Sequence, residues 1–223
     1  MASLAERYEA ACRVVLLIVV VSAATVLFTL RGAVIAGFFP AVAAAHTVYR
    51  ARLLDADGDR SLRRAVALFA RSWREEFPRA NAPGAVLLGA AAILWLDHRI
   101  LGGVDVDGIG VAVTGVLLVV SALFALFAVE FWVVRAHFEE RTRWHVRTTV
   151  QLLLARPVCT LMLGAVLLLL LALATSVPVL GAVAACAVLP FAATAVVGAF
   201  GRLPGLGSRA SLERAAKPTR SAG

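Results

Sequence analysis

The sequence lacks the short motifs by which soluble enzymes are usually read. It has no GxSxG nucleophile turn, no phosphate-binding P-loop and no GxGxxG dinucleotide fingerprint. His137, Glu139, Glu140 and His145 lie close together but not in the HExxH order that sets two zinc ligands and a base on one helix face. Cysteine is scarce and odd in number, at Cys12, Cys159 and Cys186, so no paired disulfide framework is expected. Charge is thin as well, at 16% of residues. In its place the chain is 61% hydrophobic with a mean hydropathy of +0.88, whereas a soluble domain has about 45–50% apolar residues.

The apolar residues fall in runs of a length that crosses a bilayer, for which about 18–20 residues are needed. Polar edges delimit six spans, at residues 12–30, 32–49, 83–101, 108–134, 157–176 and 179–201. All but Arg31 and Arg99 of the 22 Lys and Arg residues then fall on one side. Basic residues accumulate on the cytoplasmic side of membrane proteins, so both termini are expected in the cytoplasm and the protein in the plasma membrane. The net charge of +8 is distributed by this topology and does not form a nucleic-acid face. The fold class expected is an all-α polytopic bundle in a single domain over residues 1–201. The tail, residues 202–223, is rich in Gly, Ser and basic residues and reads as flexible and cytoplasmic. With this topology the three thiols are expected to be free and mostly buried.

The second run is the shortest crossing. Pro40 removes a backbone donor near its middle and should kink it. Gly32/Ala36, Ala33/Gly37, Gly37/Ala41 and Ala41/Ala45 place small residues four apart, which lets helix backbones approach closely. A tightly packed full crossing is the reading, with a re-entrant hairpin as the alternative. Its AVAAAH segment resembles a leader-peptidase site, but the first apolar run is too long for a signal peptide and Glu6 and Glu9 precede it, so no cleavage is expected.

Between the second and third spans lies a polar loop. Asp55, Asp57, Gly58 and Asp59 do not fit a calcium loop, because Gly falls at position four and Val66 at position twelve. Asp59 or Ser61 suits a helix N-cap. Leu62, Val66, Phe69, Trp73 and Phe77 then form an apolar stripe, with Arg60, Arg63, Arg64, Arg71 and Arg74 off it. That pattern predicts a cytoplasmic amphipathic helix, either lying in anionic headgroups or packed under the bundle. The second inner loop repeats the style, with Phe138, Trp144 and Val146 among Arg141, Arg143 and Arg147.

Three stretches, GFFPAVAAAHTVYR, LFARSWREEFPRANAPGAVLL and QLLLARPVCTLMLGAVLLLL, resemble the YesL-like family of bacterial integral membrane proteins of unknown function. Gly37, Pro40, Ala41, Ala44, Val48 and Arg50 carry the first motif; Phe69, Phe77, Ala80, Asn81 and Gly84 carry the second. Trp73 and Glu76 depart from it, standing where Phe and Asn are expected, and Pro78 is unusual. The resemblance implies a link to sugar uptake and no catalytic residues.

Intramembrane ionisable groups are the natural functional candidates. Glu130 lies about five residues from the basic end of its span, within reach of the interface or of an arginine. His46 lies near the inner edge of the second span and reads first as a packed, hydrogen-bonded histidine. Asp97, His98, Arg99, Asp105 and Asp107 form a small outer polar loop that lacks the Cys or second His of a zinc site. The candidate functional or packing residues are Gly37, Pro40, Ala41, His46, Arg50, Asn81 and Glu130, with no cofactor and no metal. The expected function is a non-enzymatic accessory or assembly factor for a sugar-importer permease, with a small transporter or channel as the alternative.

Overall fold

The computed structural model describes residues 4–54, 61–103, 108–138 and 140–200. The fold is all-α, with no strand among the described residues. Seven helices follow in order: α1 (Leu4–Arg31), α2 (Ile35–Leu54), α3 (Leu62–Leu101), α4 (Gly108–His137), α5 (Thr142–Ala155), α6 (Pro157–Ser176) and α7 (Pro178–Phe200). Among the described residues, four segments are long and apolar enough to cross a membrane: Ala11–Arg31, Leu62–Leu101, Gly110–His137 and Pro157–Ser176. This is the architecture of a multi-pass membrane protein.

The amphipathic stretch and the third apolar run, expected as separate elements, form one helix. Ser61 caps it, its hydroxyl accepting from the Arg64 backbone N–H at 3.4 Å. Pro78 and Pro83 lie inside, and the Asn81 side chain donates to the Phe77 carbonyl at 2.8 Å between them. Forty residues of helix extend about 60 Å, twice the hydrocarbon thickness of a bilayer, so only part of α3 can lie across one. The second inner loop also contains a helix of its own, α5.

The sequence predicts why α2 lies at the centre. Its Ala41, Ala44 and Ala45 are fully buried and meet Leu17, Val21 and Ala24 of α1 and Phe69 and Trp73 of α3. Small side chains on α2 thus admit bulky ones from two neighbours. The apolar stripe on the first half of α3 is what covers it: Phe69 and Trp73 each pack against Phe28 of α1. A second cluster joins Phe39 and Ala43 of α2, Ala80 of α3, and Phe131 and Trp132 of α4. A third joins the end of α4 to α5, α6 and α7 through Val133, Val134, Leu152, Leu163, Ala193 and Val197.

The α1–α2 turn is tight. Ala33 and Val34 have φ of 58° and 65°, a left-handed conformation that is unusual for a β-branched residue. The Val34 N–H donates to the Thr29 carbonyl at 2.9 Å, which holds the turn closed. A Cβ on Gly32 would run into the backbone of Gly37, and one on Gly37 into that of Gly32 and Thr29. Both positions therefore require glycine.

Gly84 and Leu87 still pack on the second cluster, but the rest of α3 beyond Pro83 and the first half of α4 form a hairpin that stands apart from these clusters. Val86, Ile93, Trp95, Val111, Val116 and Leu118 are all exposed on it. Its legs are tied by a hydrogen bond between His98 Nε2 and Ser121 Oγ at 3.0 Å, and Arg99 stacks over the Trp95 ring. An apolar exterior with an internal polar tie is what a hydrocarbon environment demands.

Cys159 is buried and all three thiols are free, but Cys12 is exposed, because it lies on a face of α1 that no other helix covers. The Asp55–Asp59 segment, Asp105 and Asp107, and the tail after residue 200 lie outside the described residues.

Candidate functional site

Two buried polar side chains, His46 and Thr194, meet where α2, α4 and α7 come together. His46 is 2% exposed, and its Nδ1 lies 2.9 Å from Thr194 Oγ1. The Thr194 hydroxyl in turn donates to the Pro190 carbonyl at 2.7 Å. A hydroxyl has one proton, so with Thr194 donating to Pro190 the His46–Thr194 bond requires a proton on His46 Nδ1. One turn further along α2, Arg50 Nη1 donates to the Ala136 carbonyl at 2.9 Å, at the C-terminal end of α4. There a guanidinium meets a carbonyl that lacks an intrahelical partner and carries the negative end of the helix dipole. Tyr49, fully buried, lies edge-on to Phe191 of α7 at 5.4 Å and bonds Ser22 of α1 through its hydroxyl.

Contacts between α2 and α4 advance unequally. Phe39 stacks on Trp132 at 6.0 Å, and eleven residues later Arg50 reaches Ala136, only four residues on. That is about 16 Å of progress along α2 against about 6 Å along α4, so the helices cross obliquely. Arg50, Leu53, His137, Thr194, Ala195, Gly198 and Ala199 line a cleft of about 250 Å³ at this crossing. His137 Nδ1 donates to the Val133 carbonyl at 2.8 Å.

Two further arrangements lie outside the seam. Glu76 of α3 receives both Nη2 and Nε of Arg135 on one oxygen, at 2.7 and 3.2 Å. Trp73 Nε1 donates to the Gly37 carbonyl at 3.4 Å, and Phe77 packs against Gly32. Trp73 and Glu76, which depart from the second motif, each make a defined contact here. Glu130, by contrast, is fully buried beside Cys159, and neither of its oxygens has a hydrogen-bond partner among the described residues. The arginine or interface that the sequence offered it is absent, because α4 turns this face toward α6 and α7. His145 is similar: its Nε2 donates to the Phe138 carbonyl at 2.9 Å, while its buried Nδ1 is unpartnered.

Of the candidates read from sequence, His46 and Arg50 share the seam. Gly37, Pro40 and Ala41 belong to the packing of the same helix, Asn81 bonds its own helix backbone, and Glu130 stands alone. Thr194, His137 and the Glu76–Arg135 pair were not anticipated. For Thr194 the usable signal was the recurrence of proline in a small-residue context, at Pro40 and Pro190. Nothing local marks Glu76 and Arg135 as partners 59 positions apart. Among the described residues, no group of three His, Cys, Asp or Glu side chains could hold a metal ion.

Comparison with known proteins agrees with the motifs. Residues 18–98 match a family described as a protein of unknown function, DUF624. The chain is 28% identical over 140 residues to the uncharacterized protein YesL of Bacillus subtilis (strain 168), a match that covers 63% of this chain and 63% of that relative. The chain thus resembles the YesL-like proteins of unknown function over part of its length. No solved structure matches it.

Proposed function

We propose that the protein is a plasma-membrane accessory or assembly factor that works by packing against another membrane protein, a sugar-importer permease subunit, and not by catalysis. The observation that carries this is the division of labour in the fold. Inside, His46–Thr194–Pro190, Arg50–Ala136 and Trp73–Gly37 spend their polar groups on hydrogen bonds between and within helices, while the α3–α4 hairpin presents a largely apolar exterior, with Arg99 and Thr114 its exposed polar side chains. Deleting the gene in its host should lower sugar uptake and the amount of assembled permease. Unchanged uptake of every importer-borne sugar tested would reject the reading.

The topology that goes with it has both termini in the cytoplasm, α2 and α7 adding two crossings to the four helices above, and the first half of α3 as the cytoplasmic amphipathic helix near anionic lipid. The re-entrant alternative has support from one contact: Phe77 lies against Gly32 at the α1–α2 turn, while its neighbour Glu76 pairs with Arg135 at the basic end of α4. A re-entrant α2 makes the number of crossings odd and puts the termini on opposite sides, whereas a full crossing leaves both in the cytoplasm. A cysteine at Arg31, labelled with a membrane-impermeant maleimide on intact cells, separates them: labelling from outside means a full crossing, and protection means re-entry.

A transporter remains the second functional reading, and Glu130 is what favours it. A buried, unpartnered carboxyl inside a bundle is the kind of group that carries ions or protons.

A further inference from the structure

The two arginine-bearing amphipathic helices turn different faces outward. In the first half of α3 the apolar stripe packs on the bundle, with Phe69 and Trp73 buried, and Arg63, Arg64, Arg71 and Arg74 are exposed. In α5 it is His145, Thr149 and Leu152 that are buried. Val146, Val150 and Leu154 are left outside, the last 76% exposed, together with Arg143 and Arg147. At about 100° per residue, the two arginines flank Leu154 by about 20° on either side. Cations and aliphatic side chains therefore share one outward face, opposite the buried one. No acidic residue lies in α5; Glu139 and Glu140 precede it in the sequence. Among the described residues, neither Arg143 nor Arg147 has an acidic partner.

The chain fixes the height of this face. The apolar segment of α6 starts at Pro157, three residues after Leu154. At Arg156 φ is −127° and ψ is 66°, so the helix breaks there and α5 leaves α6 at a bend. Val158 and Leu161, in the first turns of α6, are exposed as well. Leu154 is thus held at the edge of the hydrocarbon. Arg147 and Arg143 lie about 10 and 16 Å back along the α5 axis. The headgroup layer is about 5–8 Å deep, and a long arginine side chain extends to keep its charge within it. Any inclination of α5 away from the membrane normal brings both arginines nearer still.

We infer that α5 is a lipid-anchoring helix in the headgroup layer of the leaflet where α6 begins. Arg143 and Arg147 meet the phosphates of acidic phospholipids, and Val150 and Leu154 lie among the first acyl methylenes. An amphipathic helix that joins arginine to aliphatic side chains suits this layer. Charge complementarity selects acidic over zwitterionic lipid, because only there do two guanidiniums meet a net negative surface. The first half of α3 has its stripe already covered, so it can meet the leaflet through charge alone. Calling the leaflet cytoplasmic rests on the topology proposed above; the contact itself does not, and it is the same whether α2 crosses or re-enters.

The test uses the full chain in nanodiscs of phosphatidylcholine with a minor share of phosphatidylglycerol. A photocrosslinking amino acid replaces Val150, and its adducts are read by mass spectrometry. One arginine near an anionic surface gives about a fivefold preference, so the adducts should be enriched in phosphatidylglycerol at least about fivefold over the bilayer's own ratio. The same amino acid in place of Leu168, 68% exposed and about 16 Å into the span, should give lipid adducts at the bilayer ratio. Arg143→Gln combined with Arg147→Gln should bring the Val150 adducts down to that ratio. Arg71→Gln should leave them unchanged, because Arg71 already pairs with Glu75. A salt titration leaves both arginines in place: at about 1 M KCl, where charges are screened beyond about 3 Å, the enrichment should fall several-fold. No permease is present, so the outcome is independent of the function proposed above. Val150 adducts without lipid, or a cross-linked dimer of the chain, would overturn the inference. So would wild-type adducts at the bilayer ratio, or an enrichment that neither the double substitution nor salt reduces.

Discussion

Two glycines five residues apart in α3 should respond oppositely to the same substitution. Gly84 is buried where α3 passes α2, and a Cβ there would penetrate the Phe39 ring. Phe39 cannot swing aside easily, because it stacks on Trp132 at 6.0 Å and lies edge-on to Phe38 at 5.4 Å. Gly89 is exposed, and a Cβ there meets no atom within 4 Å. Replacing glycine by alanine inside a helix gains about 1 kcal/mol of propensity. At Gly89 that gain stands alone, so Gly89→Ala should be slightly stabilising. At Gly84 it is set against overpacking of about 1–3 kcal/mol, for a net loss of roughly 0–2 kcal/mol. Gly84→Leu, with a longer side chain in the same gap, should exceed that range, while Gly89→Leu should be neutral. The assay is thermal unfolding of detergent-purified protein followed by tryptophan fluorescence, since Trp132 and Trp73 border the contacts. Equal stability of the Gly84→Leu and Gly89→Leu proteins would refute the close approach of α2 and α3.

Thr194→Val removes the acceptor for His46 and should cost about 0.6 kcal/mol and at most about 1.7, with a double-mutant cycle against His46→Leu returning the same energy. Zero coupling in that cycle means the bond is not formed. Glu130→Leu replaces an unpartnered buried carboxyl by an apolar group and should stabilise the fold by about 1–3 kcal/mol in chemical denaturation; a loss of stability would mean the carboxyl has a partner. Ala41→Leu places bulk at a fully buried contact of α2 and should lower accumulation of folded protein, measured by fluorescence-detected gel filtration. His46→Gln, which preserves a donor toward Thr194, should leave accumulation and sugar uptake intact, and loss of uptake at normal accumulation would move the account to the transporter reading.

Long, uninterrupted apolar runs can be read directly. The sixth helix matches its predicted span of 157–176, and α4 and α7 differ from theirs by at most a turn at the ends. Burial inside protein is harder to see. The second helix is less apolar than α4, α6 and α7 because His46, Tyr49 and Arg50 interrupt it, yet it is the most enclosed, since other helices supply its surroundings. Small-residue spacing at Gly37, Ala41 and Ala45 carried that information correctly. The continuity of α3 was hidden by Pro78 and Pro83, which the local rules treat as a boundary, but proline tolerates the interior of a membrane helix whose neighbours compensate. Glu130 was misread for a geometric reason: distance along the helix to Arg135 says nothing about which face the carboxyl takes. Helical phase puts Glu130 with Val133 and Val134 on the α6–α7 side, while Arg135 points to Glu76.

The central claim is that the exposed hairpin docks a membrane partner. A photocrosslinking amino acid at Leu88 or Val116, with Leu161 of α6 as the control position, tests this in living host cells. The account predicts an adduct from the hairpin positions that contains an importer permease subunit and is absent from the control. Hairpin positions that yield only lipid adducts, in cells actively importing sugar, would contradict it.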